Sequence, residues 1–230
     1  MKIHIMITGG SRGIGAAIAE AFDSATAQVV VLSSRDGDLS DPGASARLWD
    51  DALVTLGGRI DVLINNAGIF EANPLDADDA DWLARWNRTI QVNLTASADL
   101  CRRAVLHWQA TKATGRIINI ASRAAHRGDS PDHWHYAASK AGMVAMTKTI
   151  ARAYAKDGIY AFTICPGFTM TGMAEDYLES RGGDKLLADI PLGKVADPEE
   201  VAAIAKFCAL DAPPSMTGAT IDVNGASYVR

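Results

Sequence analysis

Short runs rich in Val and Ile alternate along the chain with longer segments whose apolar positions recur every three or four residues. The runs at 3–8, 28–34, 59–65, 115–122, 159–165 and 220–223 read as strands. Most are nearly continuous rather than alternating, as strands are when helices cover both faces of a parallel sheet. The segments 13–23, 45–56, 79–110, 136–156 and 197–210 have helical spacing. The last opens Asp197-Pro198-Glu199-Glu200, a capping residue, a Pro at the first helical position and an acidic first turn. Strand–helix alternation of this kind predicts βαβ units, hence an α/β fold with a doubly wound parallel sheet. With no repeat, linker or low-complexity tract, residues 1–230 are expected to form a single domain.

Composition narrows the function classes. A hydrophobic content of 48% excludes a disordered chain, and 22 Lys+Arg against 27 Asp+Glu argues against a nucleic-acid binder, which needs a basic stripe. No apolar run approaches the roughly 20 residues of a membrane span. The N-terminal run ends at Gly9, too early for a signal peptide, so a cytoplasmic protein is expected. Cys101, Cys165 and Cys208 are an odd count with no CxxC pair, which points to three buried thiols and neither a disulfide framework nor a metal site.

Thr8-Gly9-Gly10-Ser11-Arg12-Gly13-Ile14-Gly15 lies where the first strand gives way to the first helix. There Gly9 permits a tight turn, Gly13 lets backbone approach a pyrophosphate, and Gly15 allows close helix–strand packing. The helix N-terminus offers free N–H groups to the phosphates. Downstream, Tyr136 and Lys140 are four apart in a helical segment and project from one face. Protonating the alkoxide left by hydride addition to a carbonyl needs an acid near neutrality, and an ordinary phenol titrates near 10. An ammonium one turn away pulls it down.

Thr8-Gly9-x3-Gly13-x-Gly15, Asn65-Asn66-Ala67-Gly68, Asn93, Ser122, Tyr136-x3-Lys140 and Pro166-Gly167 occur in the order and spacing of the short-chain dehydrogenase/reductase family, which the chain resembles over about residues 2–225. Within it, the chain is similar to the single-domain branch that includes the 3-oxoacyl-carrier-protein reductases. The resemblance implies a Rossmann-like fold and a catalytic tetrad. Tyr136 would be the acid/base, Lys140 its tuner and ribose anchor, Ser122 the donor to the substrate oxygen and Asn93 the holder of a water. It also implies that Asn66, Ala67 and Gly68 line the nucleotide cleft, and that Pro166, Gly167, Thr169 and Thr171 meet the nicotinamide and phosphate. A homotetramer or homodimer, acting on a small-molecule carbonyl or alcohol, follows from the same source.

One departure stands out. Only about 25 residues separate the second strand from the strand carrying Asn65, too few for the helix, strand and helix that the family places there. One strand and one helix are therefore expected to be missing between Arg35 and Arg59. That leaves six strands, with the second at the sheet edge and Asp38-Leu39 reaching the adenine by a shortcut. At the end of the second strand, where an NAD-selective site carries an acid, stand Ser33, Ser34 and Arg35, with Arg12 in the glycine loop. Two guanidiniums and two hydroxyls suit a 2′-phosphate, so NADP(H) is favoured over NAD(H) despite Asp36 nearby.

Specificity is expected in the loops. His126, Arg127, Asp129, His133, Trp134 and His135 lie between the Ser and Tyr, with the histidines read as solvated and Arg123 or Arg127 as a candidate for an anionic substrate group. A lid is expected over 170–190, carrying Met173, Tyr177, Leu178, Arg181, Leu186 and Leu187. Trp82, Trp86 and Trp108 read as core or subunit contacts. The function expected is an NADP(H)-dependent oxidoreductase interconverting a carbonyl and an alcohol. The alternative, a non-catalytic NADP(H)-binding sensor or scaffold, has no use for Tyr136 and Lys140 together.

Overall fold

The computed structural model describes residues 2–171 and 187–230. Its strands are β1 (Ile3–Thr8), β2 (Ala27–Leu32), β3 (Val62–Asn65), β4 (Gly115–Ile120), β5 (Ile159–Pro166) and β6 (Thr220–Val223). The helices are α1 (Gly13–Glu20), α2 (Ala44–Thr55), α3 (Asp79–Ile90), α4 (Ala96–Thr111), α5 (Ala124–Arg127), α6 (Trp134–Tyr154) and α7 (Pro198–Leu210). All strand pairs are parallel, in the order β2-β1-β3-β4-β5-β6. The six-stranded, doubly wound sheet expected from sequence is therefore present. Only α2 lies between β2 and β3, and β2 is an edge strand, so the inferred strand and helix are indeed absent.

The continuous apolar runs are explained by the two core layers. Alternate side chains of a strand leave on opposite faces. Ile5, Ile7, Val62 and Ile64 pack with Ile18 of α1 and with Val201, Ala205 and Cys208 of α7. Met6, Leu63 and Ile117 face the other way, onto Leu48 and Trp49 of α2 and Leu100, Cys101 and Trp108 of α4. All three cysteines are buried free thiols. Trp108 is core, and its indole N–H donates to the Ile60 carbonyl at 2.6 Å.

The capping pattern before α7 is realised: Glu200 accepts from the Asp197 N–H, and Asp197 caps the first turn in return. One helix differs from its reading. The segment 79–110 is not one continuous α-helix, because a π-helical turn at Gln91–Thr95 separates α3 from α4. An inserted residue of this kind leaves no trace in apolar periodicity, and such turns concentrate at functional sites. Asn93 lies within it.

Candidate active site

Thr8 and Asn65 end neighbouring strands in register, and the strand order reverses between β1 and β3. A crevice therefore opens beyond the carboxyl ends of these two strands, where open α/β sheets bind ligands. The start of α1 has no side-chain cap, since Arg12 is extended and its side chain makes no capping bond, so the amides ahead of Ala16 are open to an anion. Gly9 has φ +68°, and a Cβ there would stand 2.6 Å from the Ala67 Cα. At Gly15 a Cβ would meet the Gly9 carbonyl oxygen at 2.2 Å and Asn66 Nδ2 at 2.4 Å. Asn66 Nδ2 donates to the carbonyls of Thr8 and Gly9 at 3.2 and 2.8 Å, and the Thr8 hydroxyl accepts the Asn66 and Ala67 N–H groups.

Two glycine assignments change in detail. Gly15 packs against the loop and Asn66 rather than along a strand. Gly13 faces Thr171, whose Cγ2 would lie 2.9 Å from an added Cβ. That contact brings the Thr171 end of the β5 loop over the glycine loop, and the bare, donor-rich cradle between them fits a dinucleotide pyrophosphate.

At the end of β2, Asp36 turns back and accepts from both the Ser33 N–H and the Ser33 hydroxyl, at 2.8 and 2.9 Å. These bonds hold the Asp36 carboxyl below the usual range. The Ser33 donors assigned to a phosphate are thus engaged by Asp36. Ser34, Arg35, Ser11 and Arg12 are exposed, and neither guanidinium has an ion-pair partner among the described residues. Asp38 accepts the Ser40 N–H at 2.9 Å. The Leu39 side chain is buried in the core cluster with Leu48, and its carbonyl accepts from Gln91 Nε2.

The catalytic candidates meet at the next corner. Ser122 follows β4 by two residues, and Tyr136 and Lys140 occupy the first turns of α6. Lys140 is buried, donates to the Ile120 carbonyl at 2.9 Å, and its Nζ lies 5.8 Å from the centre of the Tyr136 ring. The Ser122 hydroxyl, which accepts the Ala124 N–H at 3.1 Å, lies near enough to the Tyr136 phenol to favour its ionised form. Gly68 closes the group: a Cβ there would lie 3.3 Å from Asn93 Oδ1 and 3.4 Å from Lys140 Nζ.

Burial governs the electrostatics here. It pushes the Tyr136 phenol up to about 12, against the opposing bond from Ser122, and the Lys140 ammonium down to about 8. Burial is the largest influence on both groups. The Asn93 side chain is held on both sides. Its Oδ1 accepts the Ile69 N–H at 2.8 Å, and Nδ2 donates to the Ile69 carbonyl and to Ser139 Oγ. With both amide protons committed, its side chain positions Ile69 and α6.

The loop readings are partly overturned. Arg127 donates to Asp189 at 2.7 Å and to the Ser227 carbonyl, and Arg123 lies 3.3 Å from the same carboxylate and over the Phe168 ring. The three histidines are not simply solvated. His126 stacks on Tyr228, His133 on Phe70, and His135 is buried at the start of α6. His126, Cys165 and Asp222 bring their ligating atoms within 4.8 Å of one another, a convergence invisible in their spacing, although Arg230 already pairs with Asp222 at 2.9 Å. Met173, Tyr177, Leu178, Arg181 and Leu186, assigned to a lid, lie outside the described residues. Thr169 is buried, its hydroxyl turned to the Gly167 carbonyl, and Gly167 packs on Asn224.

A family model described as Enoyl-(Acyl carrier protein) reductase matches residues 34–226. This chain is a short-chain dehydrogenase/reductase. It is 33% identical to an acetoacetyl-CoA reductase of Shinella zoogloeoides over 97% of both chains. A 3-oxoacyl-[acyl-carrier-protein] reductase of Vibrio harveyi is 34% identical over 97% of this chain and 96% of its own. A 3beta-hydroxysteroid dehydrogenase 1 of Eggerthella lenta reaches 36%, over 96% and 92%. The crystal structure of gox2181 superposes with a TM-score of 0.87 at 25% identity, covering 98% and 95%. This short-chain dehydrogenase/reductase is accordingly an oxidoreductase of the carbonyl–alcohol couple. Among its described residues, no helix is long and apolar enough to cross a membrane.

Proposed function

We propose that the protein is an NADP(H)-preferring reductase/dehydrogenase that interconverts a small ketone or aldehyde with its alcohol, with Tyr136 as the acid/base. The observation that carries this reading is the convergence of Ser122, Tyr136 and Lys140 beside the glycine cradle, with Lys140 Nζ 5.8 Å from the phenol ring. A bound nicotinamide supplies or accepts the hydride and, when oxidised, adds a positive charge beside the phenol. Ser122 donates to the substrate oxygen and fixes it against the Tyr136 hydroxyl, which gives up its proton in reduction and takes one in oxidation. Lys140, held by the Ile120 carbonyl, stabilises the phenolate left behind. Arg12 and Arg35 carry the NADP(H) preference, because each presents an exposed guanidinium that makes no ion pair among the described residues. By the likeness to reductases of 3-oxoacyl thioesters, a homotetramer or homodimer in the cytoplasm is the expected setting.

The test is a panel of carbonyls and alcohols followed at the nicotinamide absorbance with NADPH and NADH. Tyr136→Phe should cost about 10²–10⁴ in kcat, while its dissociation constant for NADPH, read by fluorescence, stays within about threefold. Retained turnover in Tyr136→Phe, or a protein that binds the cofactor and reduces nothing, sinks the proposal. NADH outperforming NADPH throughout sinks the cofactor preference alone.

A further inference from the structure

Phe70 is the second residue after the Asn65-Asn66-Ala67-Gly68 motif, and no sequence motif drew attention to it. It belongs to neither core layer and is 39% exposed. Its ring stacks on His133, with centroids 3.9 Å apart and planes 9° from parallel. It also meets the Tyr136 ring at 4.8 Å and 83°, so the plate stands at a right angle to the catalytic phenol.

Each half of the plate is held from behind. Asn93 pins the Ile69 backbone on both sides, and Ser130 Oγ bonds His133 Nδ1 at 2.6 Å. The two loops are joined where the Asn73 N–H donates to the Asp132 carbonyl at 2.8 Å, and Asn73 Nδ2 ties the first loop to α3 through the Trp82 carbonyl. Loops fastened to one another in this way keep an aromatic pair flat and in place. Of the charged groups of this quarter, Arg123 and Arg127 are tied to Asp189, and Glu71 to Arg88.

Resting on the carbonyl–alcohol reading, we propose that the Phe70–His133 plate is the wall that receives the substituent on the substrate's carbonyl carbon, and that the preferred substrates carry a flat, apolar group there, aromatic or conjugated. A carbonyl held by Ser122 and Tyr136 has its substituent beside the corner between phenol and plate. A planar group fits that corner by stacking on one ring while presenting its edge to the other, the two arrangements aromatic rings prefer. A small aliphatic substituent leaves most of the plate uncovered.

The experiment compares kcat/KM for an aryl methyl ketone and a small aliphatic methyl ketone. Phe70→Ala should lower the aryl-to-aliphatic ratio by about tenfold or more, the size of effect that apolar shape produces in substrate discrimination. His133→Phe keeps a flat ring in the stack and should hold the ratio within about threefold of wild type. Phe70→Leu, with most of the volume and none of the planarity, separates shape from bulk and guards against a misfolded alanine variant, and it should lose the ratio as well. An unchanged ratio in Phe70→Ala and Phe70→Leu, whatever happens to the absolute rates, overturns the proposal. A wild-type protein that reduces neither ketone counts against the oxidoreductase reading instead. Calorimetric binding of the aryl ketone to the protein–NADPH complex, retained in wild type and lost in Phe70→Ala, then still decides the plate.

Discussion

The glycine cradle and the catalytic corner sit side by side at the carboxyl ends of the strands and are made of different materials. The cradle is backbone: close approaches at Gly9 and Gly15, the Thr8 hydroxyl, and an Asn66 amide bonded to two carbonyls. The corner is built from ionisable side chains withdrawn from water, with burial moving Tyr136 and Lys140 in opposite directions. The cradle should therefore be sensitive to added atoms and indifferent to pH. The corner should tolerate changes of shape better than changes of charge.

Lys140→Met tests that contrast most severely. The thioether fills much of the same space and removes the cost of burying a cation, so the melting temperature should not fall. Activity should drop about 100-fold or more, because the phenolate loses its counter-charge. In wild type the same group sets a pH limb. Lys140 titrates at about 8 in the fold, so kcat/KM for reduction should decline as pH rises through that value. The sign for stability is opposite. Between about 8 and the ordinary 10.5 the folded protein binds fewer protons than the unfolded chain, so this residue's contribution to stability grows with pH over that window. A reduction profile flat from pH 7 to 10 would show that the amine does not act on the phenol.

Gly15→Ala probes the other material. Its methyl carbon would have to share space with the Gly9 carbonyl oxygen and Asn66 Nδ2. Overpacking of this kind costs about 1–3 kcal/mol, which for a chain of this size lowers the melting temperature by about 2–12 °C. Dinucleotide affinity should fall with it at every pH. A variant as stable as wild type would mean that the loop relaxes and that the cradle is less closely built than its distances indicate.

The two regions also differed in how far they could be read from sequence. Gly9, Gly13, Gly15 and Asn66 act locally, between the end of one strand and the start of one helix, so strand and helix periodicity places them. The missing strand was legible for the same reason, as a shortage of residues between Leu32 and Val62. Phe70 was not, because its place comes from a contact between loops, with His133, that no periodicity records. The π-turn at Asn93 was likewise hidden, since it shifts hydrogen bonds without altering the apolar pattern. The pKa of the phenol depends on burial from all sides, which the spacing of Tyr136 and Lys140 cannot express.

The smallest effect belongs where the cradle borrows the corner's chemistry. Asp36 is a charged group at the outer end of the backbone-built site, and it occupies both donors of Ser33. Asp36→Asn keeps an oxygen to accept the Ser33 N–H, so the turn should persist and NADH affinity should be unchanged. Removing one negative charge beside a 2′-phosphate in exposed surroundings is worth about threefold to tenfold in affinity at low salt. NADPH binding, measured by fluorescence titration, should tighten by that factor, and the gain should shrink as ionic strength rises past the Debye length of the contact. Equal tightening for both cofactors would place the effect in the turn itself. No change for either would mean that the 2′ group is read elsewhere, away from Ser33, Arg35 and Arg12.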